Sequence, residues 1–422
     1  MAKEAAEALA KPKQKTLHAR GARKPFPVGK VFAGLFVLLL LAVVGLPYVW
    51  PTDDYIPQIE AEATAQLKQP VHIKSINFAL LPLPKIELRS VTMGKAGEIN
   101  AGNVTLNFDF SALFSPTKSI NELDFSNVVL AGASFDQLLP WLQAAGGMKK
   151  YPVAHMNFNG VQINANEIKL PVLKGRADFD AQGKFTHANL KSADEKIGME
   201  LEMAPDKLKI DFNLHDRSLP IFPGLVFKDL SVNGVLENGE MVLSDLLAHI
   251  YGGALTGKGR LEWSKGWKLH GQVNARDMEL QQVILGSVLS GELLGEMNIS
   301  LAGTTLAKLD DDPHVEGSFE AKNGEIKKID VEAIARFGAR SGVAGHTNFT
   351  EMSGTIKTDK SSRRIFLNKL ATANAKTSGV IDVDARQQLS GKLLVDFDVA
   401  GIPNIPVHLS GTPIEPDLQA GR

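Results

Sequence analysis

LKIDFNL, residues 208–214, places Leu208, Ile210, Phe212 and Leu214 in strict alternation with Lys209, Asp211 and Asn213. Side chains on a strand point to opposite faces in turn, so a period of two gives one apolar and one polar face. The pattern recurs on both sides of this stretch. Val104, Leu106, Phe108 and Phe110 alternate with Thr105, Asn107 and Asp109, and alternation returns at Met297, Ile299, Leu301 and at Leu393, Val395, Phe397, Val399. These runs predict strands. Asn-Gly pairs at 159–160, 233–234, 238–239 and 323–324 lie among them and predict tight hairpin turns, whose central residues need positive φ. The expectation is a mainly β chain: a long antiparallel sheet with a few short helices.

Helical spacing is rare. DDYIPQIEAEATAQL, residues 53–67, has Ile56, Ile59, Ala63 and Leu67 on one face, Pro57 suited to a first turn, and Asp53 or Asp54 as the cap. Further helices are expected at Phe135–Ala145, at about Asp277–Leu289, and at Asp330–Phe337 with Asp330 as N-cap. No helix of 10–15 residues recurs between strands, which argues against a doubly wound parallel sheet.

The 422 residues are 44% hydrophobic and 22% charged, with a net charge of −1 and no cysteine. That composition is globular, and it excludes disulfides, Cys-ligated metals and thiol nucleophiles. The near-zero charge is a cancellation. Before residue 31, eight basic residues outnumber two acidic ones for a net +6; the remainder carries 38 basic and 45 acidic residues, a net −7. Between these parts runs VFAGLFVLLLLAVVGL, Val31 to Leu46. Val28 to Trp50 supplies the roughly 20 apolar residues that a membrane-spanning helix needs, if Lys30 snorkels. The basic side is expected in the cytoplasm, with Tyr48 and Trp50 at the opposite interface. Pro47 and Pro51 crowd the place of a small-x-small cleavage motif, which favours an uncleaved anchor over a signal peptide. The expected organisation is a cytoplasmic tail (1–27), an anchor (28–50), a first β unit (51–150), a middle β segment (151–222) and a C-terminal β region (223–422).

No catalytic, cofactor-binding or metal site is expected. GGALTGKG, residues 252–259, has Gly257 and Lys258 of a phosphate loop, but Gly259 stands where the Mg²⁺-binding Ser or Thr belongs. A strand follows it where a helix is needed. Asp310, Asp311 and Asp312 lack the alternation and closing Glu of a calcium loop. The ten histidines form no H-x-x-x-H or H-E-x-x-H pair. Near-neutrality argues against nucleic acid as a partner.

What remains is a collective feature, many strands with one apolar face. Two structures satisfy it: a closed sandwich holding nothing, or an open curved sheet whose apolar face is a groove for acyl chains. The candidate lining residues of such a groove are Leu106, Phe108, Phe110, Leu208, Ile210, Phe212, Leu393, Val395 and Phe397.

Several stretches carry a family likeness. One apolar span followed by Tyr55, Pro57 and Ile59, then Val71, Pro82 and Pro84, opens the exported part. Tyr251-Gly252-Gly253, GKGRLEW and GWKLHGQVNARDMEL follow in the second half, then GSFEAKNGEIKKIDVEAIARF, and the end is GIPNIPVHLSGTPIEPDL with Gly411, Thr412 and Pro416. In this order they resemble the AsmA-like family of Gram-negative envelope proteins. The resemblance implies an inner-membrane protein facing the periplasm, with a taco-like β-groove related to bridge-like lipid transfer proteins. It further implies membrane phospholipid as the partner, envelope proteins as others, no cofactor, no catalytic residues, and a role in outer-membrane assembly and lipid homeostasis. The alternative expectation is a non-enzymatic assembly factor for outer-membrane proteins that works through exposed β-edges.

Overall fold

The computed structural model describes residues 53–79, 85–108, 120–131, 152–165, 168–205, 207–237, 239–338, 345–399 and 401–421. The segment Val28–Trp50 and the expected helix Phe135–Ala145 lie outside them. Among the described residues no helix is long and apolar enough to cross a membrane.

The described chain builds one 22-stranded sheet. It begins with β1 (Val71–Ala79), β2 (Lys85–Met93), β3 (Ile99–Asn107), β4 (Ile120–Ala131) and β5 (Val153–Ala165). The short β6 (Ile168–Lys169) returns along β5, and β7 (Leu173–Phe179), β8 (Phe185–Ser192) and β9 (Ile197–Ala204) continue the order. The central strands are β10 (Lys207–Leu219), β11 (Phe222–Glu237), β12 (Glu240–Ile250), β13 (Gly253–Glu262), β14 (Trp267–Glu279), β15 (Leu289–Gly303), β16 (His314–Lys327) and β17 (His346–Asp359). The last five are β18 (Ser362–Ala371), β19 (Ala375–Val383), β20 (Leu389–Phe397), β21 (Ile405–Gly411) and β22 (Pro416–Ala420).

Pairing follows chain order from β1 to β22, and among the described residues β1 and β22 each pair with one strand, so the sheet is open. Among the described residues no second sheet covers it, which argues against the sandwich. One pair departs from the antiparallel expectation: β4 and β5 run parallel, with Phe125 opposite Phe158. A parallel step needs a crossover of a dozen residues or more, and the connection from 132 to 152 is long enough.

Three of the four Asn-Gly pairs are not turns. Only Gly239 (φ 77) closes a two-residue hairpin, between Glu237 and Glu240. Gly160 (φ 101) sits inside β5 where the register to β7 shifts, Asn233-Gly234 marks a shift between β11 and β12, and Asn323 (φ 48) one between β15 and β16. Left-handed backbone is what tight turns and many bulges both demand, so the dipeptide signals either.

Among the described residues three α-helices accompany the sheet. Helix α1 (Ile56–Leu67) has Pro57 in its first turn, but its N-cap is Tyr55; Asp53 and Asp54 lie in a preceding 3₁₀ turn. Ile56, Ile59, Ala63 and Leu67 pack on the core beneath β1, as their spacing predicts. Helix α2 is only Leu280–Val283, not Asp277–Leu289. Strand β14 continues to Glu279 after a bulge at Asp277 (φ 52), which carries Met278 and Leu280 into the core, and Gly286 (φ 75) ends the segment. Helix α3 (Val331–Phe337) matches its expectation: Asp330 Oδ1 accepts the Ala333 N–H at 2.9 Å, and Gly338 (φ 62) terminates it. Val331, Ile334 and Ala335 are buried against β17, β21 and β22.

Candidate functional site

The concave face of the sheet is read from the register. Opposite residues on paired strands share a face. One row across eight strands runs Phe212, Val232, Leu246, Gly257, Val273, Met297, Gly317, Ile356. The neighbouring row on the other face runs Asn213, Ser231, Leu247, Thr256, Asn274, Glu296, Ser318, Thr355. The first contains no polar side chain and the second only one apolar residue.

Two further concave rows flank the first. One runs from Leu214 to Gly354 through Leu255 and Phe319, the other from Ile210 to Thr358 through Leu243 and Ile299. Neither holds a charge, and Thr358 is their single polar side chain.

Burial separates this central stretch from what lies beside it. Every residue of the Phe212–Ile356 row is half-buried, so apolar surface meets solvent along eight strands. Nearer the chain's start, α1 and strands β1–β5 pack with the same face of β7–β11 into a core, where Leu208 is 0% exposed. Nearer its end, α3 fills the concavity of β17–β22, and Val395 is 0% exposed. The geometry is a half-buried apolar trough with a packed region on each side, and the core around α3 continues along one border of it through Leu230, Ala248, Leu293 and Ala321. Seven strand spacings of about 4.8 Å make it roughly 34 Å long.

Glycines shape the trough. A Cβ on Gly317 would lie 2.1 Å from the Glu296 carbonyl oxygen, and one on Gly354 would lie 2.3 Å from that of Phe366. Each thus allows a neighbouring backbone to come closer than any side chain permits. Gly257 and Gly259 of the apparent phosphate loop belong to strand β13 and serve the same end.

Of the nine lining candidates, eight are described and all sit on the apolar face. Leu106 and Phe108 pack, half-buried, on the core near α1; Leu208 and Ile210 belong to that core. Phe212 lies in the trough, Leu393, Val395 and Phe397 lie in the core around α3, and Phe110 is outside the described residues. The trough's own residues are hidden in the sequence because Gly257, Gly259, Gly271 and Gly317 interrupt the apolar alternation on β13, β14 and β16, as Gly234 does on β11 and the register shift between Leu243 and Leu246 on β12.

The convex face is polar and paired. Lys209 meets Glu202 at 3.2 Å, Arg364 meets Asp382 at 2.6 Å, and Lys369 donates to Glu351 at 2.7 Å, holding that carboxyl below its ordinary pKa. A concavity of about 500 Å³ on this face is lined by Asn189, Glu200, His215, Asp229 and His249 among others. Asp229 lies between the two histidines, accepting from His215 Nδ1 and standing 3.8 Å from His249 Nδ1. Among the described residues no group of three such side chains is arranged to hold a metal ion.

Set against known protein families, curated proteins and solved structures, the chain matches none.

Proposed function

We propose that this chain is a non-enzymatic lipid carrier: its trough holds the acyl chains of a phospholipid while the headgroup stays in water. The family likeness at Tyr55–Pro84 and Tyr251–Leu280 adds the setting. The chain is anchored in the inner membrane by Val28–Trp50, faces the periplasm, and supports outer-membrane assembly by moving or storing lipid. The observation that carries the reading is the row from Phe212 to Ile356, apolar throughout and only half-buried. Each CH₂ drawn from a bilayer into water costs ~0.8 kcal/mol, and contact with such a face offsets most of it. An acyl chain spans half of a ~30 Å hydrocarbon core, so a trough of roughly 34 Å accommodates it lengthwise.

The alternation supplies its own control. A photo-crosslinking residue at Val273, on the concave face, captures lipid in the full chain purified from membranes; the same residue at the adjacent Asn274, on the convex face, does not. Equal capture at both positions, or none at either together with no co-purifying lipid by mass spectrometry, removes the reading. The assembly-factor alternative has one supporting observation, that among the described residues no strand pairs with β22 besides β21. It predicts that substitutions at that edge, and not in the trough, impair outer-membrane protein assembly.

A further inference from the structure

We propose that the surface patch where the β14–β15 connection meets the β21–β22 turn rests on an anionic lipid surface. Three large apolar side chains are exposed there: Leu285 at 80%, Ile414 at 54% and Ile284 at 38%. They form one patch, because the Val288 N–H donates to the Pro413 carbonyl at 3.3 Å and a Cβ on Gly286 would touch Ile414 at 3.5 Å. The patch continues into a basic pair. The Lys327 N–H donates to the Val288 carbonyl at 2.8 Å, and Lys327 and Lys328 are both exposed.

Charge selects the occupant. Lys322, Lys369 and Lys376 on the convex face each have a carboxylate within 3.1 Å. Among the described residues neither Lys327 nor Lys328 has one. Glu415 is the single acidic residue in segments 284–288, 327–328 and 412–415. Apolar tips beside free lysines are the composition of a surface that enters a headgroup region, with the aliphatic ends inserted and the ammonium groups on anionic lipid. A polar turn such as Asp384–Gln388 has no such tips.

The contact is separate from the trough, which lies on the concave face, so the two readings stand or fall apart. The chain has no cysteine, so Leu285→Cys in the full protein provides one labelling position. The label is an environment-sensitive fluorophore, and the protein is reconstituted into vesicles of phosphatidylcholine with or without phosphatidylglycerol, each carrying a doxyl-lipid quencher. The expected result is a blue shift and quenching at position 285 in the anionic vesicles, absent at a control label on Ser361→Cys. Lys327→Glu with Lys328→Glu weakens the quenching, on the order of fivefold per lysine. Quenching at 285 that ignores both phosphatidylglycerol and the lysines overturns the proposal. So does concentration-dependent self-quenching without vesicles, which would make the patch a contact between copies. Retained quenching at 285 in a Val273→Asp variant that has lost its co-purifying lipid supports this contact while the fault falls on the variant's trough alone.

Discussion

Glu60 Oε1 accepts the backbone N–H of Ile73 at 2.6 Å. Thr64 Oγ1, one helical turn on, accepts that of Val71 at 3.1 Å. Strand β1 is the first strand of an open sheet, and these N–H groups lie on the side away from β2. Helix α1 thus occupies an edge that would otherwise be a template for another strand. The same helix buries Ile56, Ile59, Ala63 and Leu67 under β1, so one segment both closes the core and blocks the edge.

Replacing Glu60 and Thr64 together by Ala should therefore do two things. Thermal unfolding should show a loss of about 1–3 kcal/mol, since two part-buried N–H groups lose their acceptors. Size-exclusion chromatography should show concentration-dependent association through the freed edge. A monomeric double variant of unchanged stability would mean that the two contacts contribute nothing.

Core and trough should respond differently to the same charge. Leu208 is 0% exposed, so Leu208→Asp places a carboxylate in a closed apolar core and should leave no folded protein. Phe212 is half-buried four residues further along the strand, where solvent reaches the face, so Phe212→Asp should fold while losing co-purifying lipid. Circular dichroism and lipid mass spectrometry on the same preparations separate the two effects. If Phe212→Asp keeps its lipid, the trough is not the lipid path.

The contrast between these two residues also marks how far the sequence could be read. Alternation assigned Leu208, Ile210 and Phe212 to one face, because parity is local. It could not distinguish sealed core from open trough, because that depends on whether α1, α3 or solvent lies opposite, and those contacts come from distant segments. The same limit explains Asn159-Gly160: dipeptide chemistry reports a left-handed backbone, Gly160 at φ 101, while turn or bulge depends on the neighbouring strand. Helix α3 was legible because its cap, apolar face and terminating glycine are all local. Alternation alone extends the last apolar run to Val399, yet that residue lies past the end of β20 and is 49% exposed.

Glycine at 317 is a matter of contact distance. With the Glu296 carbonyl 2.1 Å from where a Cβ would lie, Gly317→Ala must push β15 and β16 apart. A loss of about 1–3 kcal/mol in denaturant unfolding is expected. Gly198→Ala in β9, with nothing within 4 Å of its Cβ position, should be neutral or slightly stabilising. Equal effects at both sites would show that close strand approach does not limit the sheet.

Acid should weaken the fold partly through Asp178. Burial raises its pKa, but hydrogen bonds from Arg176 Nε at 2.9 Å and from His155 Nδ1 at 2.7 Å outweigh that and hold the carboxyl below its ordinary value. A depressed folded pKa gives stability that is present above the unfolded value of ~3.9 and is lost as pH falls through the folded one. The carboxylate is 40% exposed, so its contribution is modest, ~0.2–1 kcal/mol. Asp178→Asn should lower the melting temperature slightly at pH 7 and show a shallower decline below pH ~4 than the parent. Parallel pH profiles would remove Asp178 from the account of acid sensitivity.

Thr377 carries the opposite kind of prediction, a stabilising one. It lies on the concave face of β19, opposite Leu370 on one side and Val395 on the other, and is 1% exposed. Its Oγ1 is buried without a hydrogen-bond partner among the described residues. A desolvated hydroxyl with no partner costs about 1–3 kcal/mol, and valine fills the same shape with a methyl group. Thr377→Val should therefore unfold at higher denaturant concentration with an unchanged slope, the mark of altered stability without altered compactness. A lipid-stripped variant that gains this stability, beside a lipid-bearing one that does not, would show that cargo supplies the missing partner and that the trough's contents reach the core around α3. A variant less stable than the parent in both states would mean that the hydroxyl is already satisfied within the chain.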